Sequence, residues 1–366
     1  MVSVRGTLNS RVKWQNFIVE REGVLKKFTF ILIIIVIICI VFSKKIFSID
    51  DHNASESKLY INVFDPKSLK FTFYHFDQIQ NKSKLLFSKE TADYTAFAFS
   101  ERTNKLYFAD GISDHTIQLF ENDLNTNQIN QLTTIFNNVD LIQIDKEKKI
   151  IFMRVLLRDA FRNFHIATYN LETQKIKIWE EENNDRSVLD FNYNPNNNQL
   201  IVVSFSENEH QKKLTEANKN QTKLQPTKHS LDIYDIEGQK KKHIADVERF
   251  ISGASLAPDA SSVIISYDEA VDSPISHVVE IDNQSKKVKP LLNSTGIYSN
   301  IRSVKFDEKK EGFYFLSSFI DEKKGYSILK IPKESVLSYF DIKKNKVRNV
   351  WRAEKSVIVN YSAEHF

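Results

Sequence analysis

The chain has 366 residues, of which 41% are hydrophobic, and it contains 8 Gly, 7 Pro and 1 Cys. This composition excludes a disordered or collagen-like chain, a disulfide framework and a cysteine-ligated zinc site, and the length favours two domains or one repeat architecture. Six basic and two acidic side chains in residues 1–27 account for the whole net charge of +4. The rest of the chain is therefore neutral and lacks the basic excess of a nucleic-acid-binding surface, so we expect no nucleic-acid partner.

The first predicted element is an uncharged apolar run, FTFILIIIVIICIVFS (28–43), which lies between the lysine pairs at 26–27 and 44–45. As an α-helix it covers only about 24 Å of the roughly 30 Å hydrocarbon core, at 1.5 Å per residue. Phe47 extends it if the second lysine pair reaches outward to the membrane interface. The sequence therefore predicts one N-terminal transmembrane helix over residues 28–47.

Three interpretations of this run compete: a cleaved signal peptide, a lipoprotein signal and an uncleaved anchor. The segment at its end, VFSKKIFS (41–48), lacks the small-x-small pattern that signal peptidase cleaves. Cys39 follows three β-branched residues, whereas bacterial lipoprotein signals carry a small residue just before the lipidated cysteine. We therefore favour the uncleaved anchor.

The charges around the run predict its orientation in the cell membrane. Positive charge concentrated before it places residues 1–27 in the cytoplasm as a tail and everything after residue 50 outside. Residues 48–57, SIDDHNASES, form a polar connector. An alternative start of translation at Val24 would make the lysine pair and the apolar run resemble a bacterial export signal, so we assign no function to the tail.

From residue 58 onward the chain is a succession of short apolar runs separated by polar turns, which is an all-β pattern. One unit recurs six times: an apolar strand ending in Asp or Asn, a polar turn, and a second strand. The Asp or Asn side chain can bond the backbone two residues on, which begins a hairpin turn. These turn residues are Asp77, Asp123, Asn170, Asp235, Asp282 and Asp341.

A second hairpin, made of two apolar strands around a polar turn, precedes that unit five times. Each repeat of 45 to 65 residues therefore supplies four antiparallel strands, which is the period of a propeller blade. The second hairpins lie at 94–110, 139–155, 189–205, 253–268 and 302–318.

The first repeat lacks its first strand, and the missing strand is predicted at the other end of the chain. KSVIVNYS (355–362) has no partner in its own repeat, so it can complete the blade that begins at residue 58 and close the ring. The predicted fold is all-β: a six-bladed β-propeller of four-stranded antiparallel blades over 58–362, closed by the C-terminal strand and preceded by the transmembrane helix. Residues 363–366 are a tail.

Simple alternation within the closing strand predicts its two faces. Val357, Val359 and Tyr361 are expected on one face. Ile358 and Asn360 are expected on the other.

Two of the turns carry a proline pattern, in LAPDASSVIIS (256–266) and YNPNNNQLIVV (193–203). They resemble the repeat of TolB-type six-bladed propellers, whose blades carry a strand ending in Ser-Pro-Asp-Gly before the next strand. Pro258 and Asp259 match the pair, whereas Ala260 stands where Gly is usual. The resemblance covers the whole predicted propeller as blade count and period, and it implies a fold and not an activity.

The sequence contains no Gly-rich phosphate loop, HExxH, GxSxG or Cys-pair spacing, and its nine His residues are scattered singly. We therefore predict no catalytic residue, no bound metal and no cofactor. The loops that join the second and third strands of the blades are expected to open around the central channel, where propellers generally bind partners. These loops supply the candidate binding residues.

In the second repeat this loop is DGISDH (110–115), which offers Asp110, Asp114 and His115. Carboxylate and imidazole groups are hard or borderline metal ligands, so this loop is the one place where a metal could be held. The simpler interpretation is a solvated turn, because single Asp and His residues are common on polar loops.

In the third repeat this loop is LRDAFRN (157–163), which places Phe161 between Arg158 and Arg162. An aromatic ring between two guanidinium groups is the composition of a protein-binding hot spot or a carboxylate site. The alternative is that Arg158 pairs with Asp159 inside the loop.

Three further loops complete the predicted mouth of the channel. Asp268 and Asp272 are the candidates in DEAVDSP (268–274). The loop at 206–230 is long, polar and nearly free of apolar residues, which favours a mobile surface excursion over a lid. The last loop is SFIDEKKG (318–325).

The leading functional prediction is a binding or scaffold module at the bacterial cell surface, with a protein or another cell-envelope component as its ligand. One alternative is a sensor that signals through the anchor to a cytoplasmic partner. Another is a metal-dependent hydrolase or lyase at the channel mouth. The abundance of Lys, Asn and Ile and the absence of cysteine after Cys39 suit a low-GC Gram-positive source.

Overall fold

The computed structural model describes residues 58–90, 96–145, 147, 149–159, 162–271, 273, 275–294, 298–319 and 334–364. The predicted tail, transmembrane helix and connector therefore lie outside the described residues. Within the described ranges, no helix has the length and apolar character needed to cross a membrane.

The described strands form six four-stranded antiparallel sheets, as the sequence predicts. We number these sheets as blades 1 to 6 along the chain. Blades 1, 2 and 3 contain β1 (Lys58–Asp65), β2 (Lys70–Asp77), β3 (Lys82–Glu90) and β24 (Val357–Glu364); β4 (Phe97–Ser100), β5 (Lys105–Gly111), β6 (Ile117–Asp123) and β7 (Gln128–Gln131); and β8 (Phe136–Ile144), β9 (Ile150–Leu157), β10 (Phe164–Asn170) and β11 (Ile176–Ile178).

Blades 4, 5 and 6 have the same construction. They contain β12 (Arg186–Asn194), β13 (Gln199–Ser206), β14 (Lys228–Asp235) and β15 (Lys240–Glu248); β16 (Phe250–Leu256), β17 (Ser262–Asp268), β18 (Ser276–Asp282) and β19 (Val288–Asn293); and β20 (Ser299–Phe306), β21 (Gly312–Phe319), β22 (Glu334–Asp341) and β23 (Lys346–Glu354).

Burial follows the position of a strand within its blade. The second strand of blade 4, β13, buries Leu200, Ile201, Val202 and Val203 completely, because both of its faces are covered by neighbouring blades. The fourth strand of the same blade, β15, begins with four exposed residues, KKKH. Apolar side chains therefore fill the spaces between blades, and polar side chains coat the outer strands.

The outer hairpins use the predicted turn residues in the predicted way. In blade 1, the Asp77 carboxylate oxygen Oδ1 accepts hydrogen bonds from the backbone N–H groups of Ile79 and Gln80, both at 2.9 Å. A residue with positive φ then ends each turn. In the six blades these residues are Asn81, Asn127, Gln174, Gly238, Lys286 and Asn345.

The ring closes as predicted, with the C-terminal strand as the innermost strand of blade 1. β24 pairs antiparallel with β1 in a register that sets Tyr361 opposite Ile61. The Tyr361 hydroxyl donates a hydrogen bond of 2.6 Å to the carbonyl oxygen of Ser303 in blade 6. The closing strand therefore joins the first blade to the last.

The predicted faces of the closing strand are wrong, because a β-bulge interrupts the ladder between Asn62 and Val63. Val63 pairs with Ile358, so Val359 is an extra residue on β24. Ile358 and Tyr361 consequently pack in one cluster with blade 6. Val359 packs in a different cluster, with blade 2.

The long polar loop of blade 4 contains a helix that the all-β prediction omitted. Helix α1 (Glu207–Asn220) begins after Ser206, whose side chain accepts a hydrogen bond from the Glu209 N–H, and it ends where Gln221 adopts a left-handed conformation. Lys213 anchors it by donating to the carbonyl of Pro226 at 2.7 Å. The segment is therefore a docked helix rather than a mobile excursion.

Candidate functional site

The loops chosen from the sequence lie where the first strand of each blade begins, because the second strand runs back antiparallel to the first. We call this end of the propeller the loop face. We call the opposite end, where each first strand turns into the second, the turn face. Two candidate residues, Phe161 and Asp272, lie outside the described residues, as does the blade 6 loop from residue 320 onward.

Two of the predicted residues meet across a blade boundary on the loop face. The Arg158 Nη2 atom lies 2.9 Å from the Asp114 Oδ2 atom and 3.0 Å from the carbonyl oxygen of Thr134. The side-chain hydroxyl and N–H of Thr116, followed by Arg158, hold the pKa of Asp114 below its usual value. Arg158 therefore links blade 3 to blade 2, and it pairs with Asp114 rather than with Asp159 as in the alternative interpretation.

The metal-ligand set suggested for the blade 2 loop is not assembled. Asp110 forms an ion pair with Lys89 of blade 1. His115 is exposed and has a left-handed backbone. No group of three His, Cys, Asp or Glu side chains within the described ranges is placed to hold a metal ion.

The last two described candidates stand apart from the others. Arg162 donates from Nη1 to the side-chain oxygen of Gln211 on α1, at 2.6 Å. Asp268 lies at the end of β17, where burial raises the pKa of its carboxyl. The six described candidates are thus spread over blades 2, 3 and 5, and only Asp114 and Arg158 contact each other.

The large cavity of the propeller opens at the turn face, opposite the predicted mouth. Its volume is about 440 Å³, within the range of roughly 300–1,000 Å³ that is typical of ligand pockets. The last residues of the six first strands, β4, β8, β12, β16, β20 and β24, and the turns that follow β4, β12, β16 and β20 line it. We call it the turn-face cavity.

Aromatic rings and prolines form much of the cavity wall. Phe97, Phe99 and Tyr60 form an aromatic cluster, and the ring centroids of Tyr60 and Phe99 are 4.9 Å apart. Pro195 and Pro258 occupy the turns after β12 and β16. The three rings are buried between blades 1 and 2 and show only their edges to the cavity, whereas the half-buried prolines offer rigid apolar surface that loses little conformational entropy when a ligand binds.

One ammonium group, that of Lys305 on β20, reaches into this apolar setting. Its Nζ atom donates to the carbonyl oxygen of Tyr361 at 2.6 Å and lies 4.8 Å from the centroid of the Tyr361 ring. Burial away from water lowers the pKa of Lys305 to about 8, although the negative charge of Asp190 on β12 opposes the shift. The amine is therefore still mostly protonated at pH 7.

Three further charged side chains connect blades 3, 4 and 5, and one of them, Asp190, acts electrostatically on Lys305. Arg154 holds Asp140 in a bidentate pair, with Nε–Oδ1 and Nη2–Oδ2 distances of 2.6 and 2.7 Å. Its third nitrogen donates to the carbonyl oxygen of Leu189 on β12. Asp190 accepts a bond from the Ala254 N–H at 3.2 Å, and burial raises the pKa of its carboxyl. We call Asp140, Arg154 and Asp190 the channel network, which bridges blades 3, 4 and 5.

None of the candidate residues chosen from the sequence lines the turn-face cavity, although the sequence contains a signal for buried charge. Arg154 lies within the apolar strand IIFMRVLL, Asp190 within VLDFNYN, and Lys305 between Val304 and Phe306. A charged residue inside an apolar strand is costly unless it faces a channel or a partner. Asp190 and Lys305 lie on first strands, which surround the channel of a propeller, whereas Arg154 on the second strand β9 meets its partner on β12 at the boundary between blades 3 and 4.

Comparisons with known proteins agree with this architecture. No protein-family model matches the chain. The uncharacterized protein YdjN of Bacillus subtilis (strain 168) is 23% identical over 318 residues, which cover 84% of this chain and 87% of that protein.

Solved propellers resemble the structure at low sequence identity. TolB from Acinetobacter baumannii superposes with a TM-score of 0.54 at 14% identity, over 82% of this chain and 66% of that one. A putative TolB from Agrobacterium tumefaciens gives 0.53 at 10% identity, over 81% and 90% of the two chains. A chain of a nidogen/laminin complex gives 0.52 at 9% identity, over 83% and 98%. The likeness confirms the TolB-like propeller fold, and at these identities it concerns the fold alone.

Proposed function

We propose that the protein is a membrane-anchored binding module of the bacterial cell surface, and that it holds its ligand in the turn-face cavity. The observation that carries this proposal is the cavity itself: about 440 Å³ at the end of the channel, with aromatic walls and a single lysine among them. Concave, mostly apolar sites with a few polar groups are typical of ligand binding. Aromatic side chains are also enriched where partners bind.

The anchor and its orientation are part of the same proposal. The apolar run at 28–43 and the positive charge before it support a single span with the propeller outside the cell. A cavity on an outward-facing domain would be open to protein or cell-envelope ligands. No described group favours signalling or catalysis over binding.

The test is to block the mouth of the cavity while leaving the core intact. Asn196 lies in the turn after β12, is exposed and borders the cavity. Asn196→Trp should place an indole at the mouth. The matched control is Asn218→Trp, which makes the same change at an exposed position of α1 beyond the loop face.

Cells that produce the full-length protein would be crosslinked mildly, and the captured partners would be compared by mass spectrometry. We expect the wild type and Asn218→Trp to capture the same partners and Asn196→Trp to lose them. If Asn196→Trp retains them while Asn218→Trp loses them, the binding surface is the loop face and the proposed site is wrong. Retention by both variants would also refute the cavity as the site.

A further inference from the structure

We propose that the turn-face cavity recognises a carboxylate joined to an apolar group, and that the Lys305 ammonium is the group that binds the carboxylate. This inference rests on the proposed function, since it assigns a ligand chemistry to the same cavity. It is supported by the few partners of the Lys305 ammonium, the carbonyl oxygen and the ring of Tyr361, and by the lack of a carboxylate next to this ammonium among the described residues.

The Lys305 ammonium has three N–H donors and an incomplete set of partners. One donor bonds the Tyr361 carbonyl oxygen, and the Tyr361 ring offers its face at 4.8 Å. No carboxylate of the described chain lies within 4.0 Å of Nζ, and Asp190 acts on it only at longer range. Donor capacity therefore remains for an anionic oxygen entering from the cavity.

The partly buried setting of the Lys305 ammonium favours binding of such an anionic oxygen. A charged amine held in a partly buried apolar site has lost hydration, and an opposite charge with hydrogen bonds restores the missing stabilisation. Pro195 and Pro258, which are only half-buried, lie on the wall of the same cavity and can cover the apolar part of the ligand. The edges of Phe97, Phe99 and Tyr60 border the cavity behind them. The site thus matches a molecule with one acidic end and one apolar body.

The charges at the mouth restrict the ligand further. Glu101, Asp307 and Glu308 place three carboxylates along the cavity. Glu101 is paired with the Lys58 ammonium, and Arg102 supplies a guanidinium to the lining. Asp307 is fixed in place, because it accepts hydrogen bonds from the Tyr339 hydroxyl at 2.6 Å and the Glu311 N–H at 2.9 Å. A second negative charge on the outer part of a ligand would meet this acidic rim.

A phosphate group fits the inner part of the cavity less well than a carboxylate. Phosphate recognition usually employs several donors, such as an Arg fork or a helix N-terminus, whereas one ammonium lines the inner cavity here. The nearby Asp190 also disfavours a doubly charged anion. The expected ligand is therefore a monocarboxylate with a neutral or cationic outer end.

Two sources carry this chemistry: a free aryl or alkyl acid, and the C-terminus of a peptide that ends in an apolar residue. The experiment includes both. Isothermal titration of the full-length protein would compare 3-phenylpropionate with 3-phenylpropionamide, and acetyl-Ala-Phe with its C-terminal amide. Each pair differs only in the negative charge.

We expect the wild type to bind at least one acid about tenfold more tightly than its amide, which corresponds to one good charge-assisted contact. Binding of the free acid alone identifies a small-molecule site, and binding of the peptide acid alone identifies a peptide terminus. Lys305→Met should abolish the preference for the acid, and Lys305→Arg should keep part of it. The matched control is Lys309→Met, at an exposed position in the turn after β20.

Equal affinity for acid and amide in the wild type would overturn the inference. This comparison uses the wild-type protein alone, so it does not depend on whether a Lys305 variant folds. The absence of saturable binding by every acid at millimolar concentration, or an unchanged preference in Lys305→Met, would also overturn the inference. The proposed function fails separately: if Asn196→Trp captures the native partner normally while the acid preference holds, the cavity binds a carboxylate but is not the partner site.

Discussion

The Lys305 ammonium donates to the carbonyl oxygen of Tyr361 across the boundary between blade 6 and the closing strand of blade 1. Tyr361 returns a bond, from its hydroxyl to the carbonyl oxygen of Ser303 on the strand that carries Lys305. The two contacts connect residues that belong to different blades. The position of the cavity amine therefore depends on closure of the ring.

Closure gives the first prediction. A chain that ends at Lys355 lacks β24 and should expose the edge of β1 and the cluster that buries Ile358 and Tyr361. The loss of burial should cost several kcal/mol against a total stability of about 5–15 kcal/mol. We expect aggregation or rapid proteolysis, measured by size-exclusion chromatography and limited trypsin digestion.

The control for this truncation is a chain that ends at Glu364, the last residue of β24. It keeps the whole closing strand and should melt at nearly the wild-type temperature. A cooperative transition at an unchanged Tm for the shorter chain would show that the strand does not close the ring.

The second prediction concerns pH. Burial lowers the pKa of Lys305 to about 8, and only the protonated amine can pair with a carboxylate. The affinity for the acid ligand should therefore be nearly constant between about pH 6 and pH 7, where the ligand carboxyl is fully ionised, and fall about tenfold from pH 8 to pH 9.5. The amide ligand should show no such change. Titration calorimetry across this range measures both.

The other charged groups around Lys305 do not oppose this trend. Burial raises the pKa of the Tyr361 phenol well above its usual value, so it stays neutral at pH 9. Asp190 has a pKa raised by burial, and its protonation at lower pH would also favour an entering anion. Arg154 remains charged throughout. Loss of acid affinity on lowering the pH from 8 to 6 would contradict the assignment.

The third prediction compares two arginines. Arg154 binds Asp140 through two bonds, donates to the Leu189 carbonyl and lies 4.6 Å from the ring centroid of Phe164. Arg154→Ala leaves the partly buried carboxylate of Asp140 without its partner and should lower the free energy of unfolding by about 3 kcal/mol. Arg158 is half exposed, so Arg158→Ala should cost at most about 1 kcal/mol.

Urea denaturation of the two variants measures this difference. Similar losses for both would mean that the channel network contributes no more than a surface pair. The same pair of variants also tests the loop face, because Arg158→Ala should leave partner capture unchanged if the turn-face cavity is the site.

The fourth prediction concerns a close approach between blades 5 and 6. A Cβ atom on Gly253 would lie 2.7 Å from the backbone N of Ser303. Backbone atoms cannot move aside as a side chain can, so Gly253→Ala should destabilise the protein by about 1–3 kcal/mol. Gly111→Ala, at an exposed position at the end of β5, is the control and should change stability by less than about 0.5 kcal/mol. Equal Tm values for the two variants would refute the close packing.

The fifth prediction is the topology. External protease added to intact cells should degrade the propeller, and an epitope tag placed before Met1 should survive in the cytoplasm. Protection of the propeller would contradict the outward orientation. Loss of the tag together with the propeller would contradict the uncleaved anchor.

The blade count, the hairpin turns and the ring closure follow from the amino-acid sequence. The blade count and the turns depend on local patterns: a strand alternates with period two, and an Asp or Asn side chain such as Asp77 begins a turn by bonding its own backbone. The closing strand was also predictable, because a single strand was missing at one end of the chain and present at the other. Its faces were not, because the bulge opposite Asn62 arises only when β24 meets β1.

The positions of the charged groups, in contrast, depend on how the six blades meet. Asp190, Lys305 and Tyr361 belong to three blades and are separated by 56 to 171 residues, so no local pattern relates them. They come into the same region because six first strands converge on one channel and bulges in several of them change which side chains point inward. The burial that lowers the pKa of Lys305 is likewise a property of the closed ring, since water leaves the channel wall only when every blade is in place.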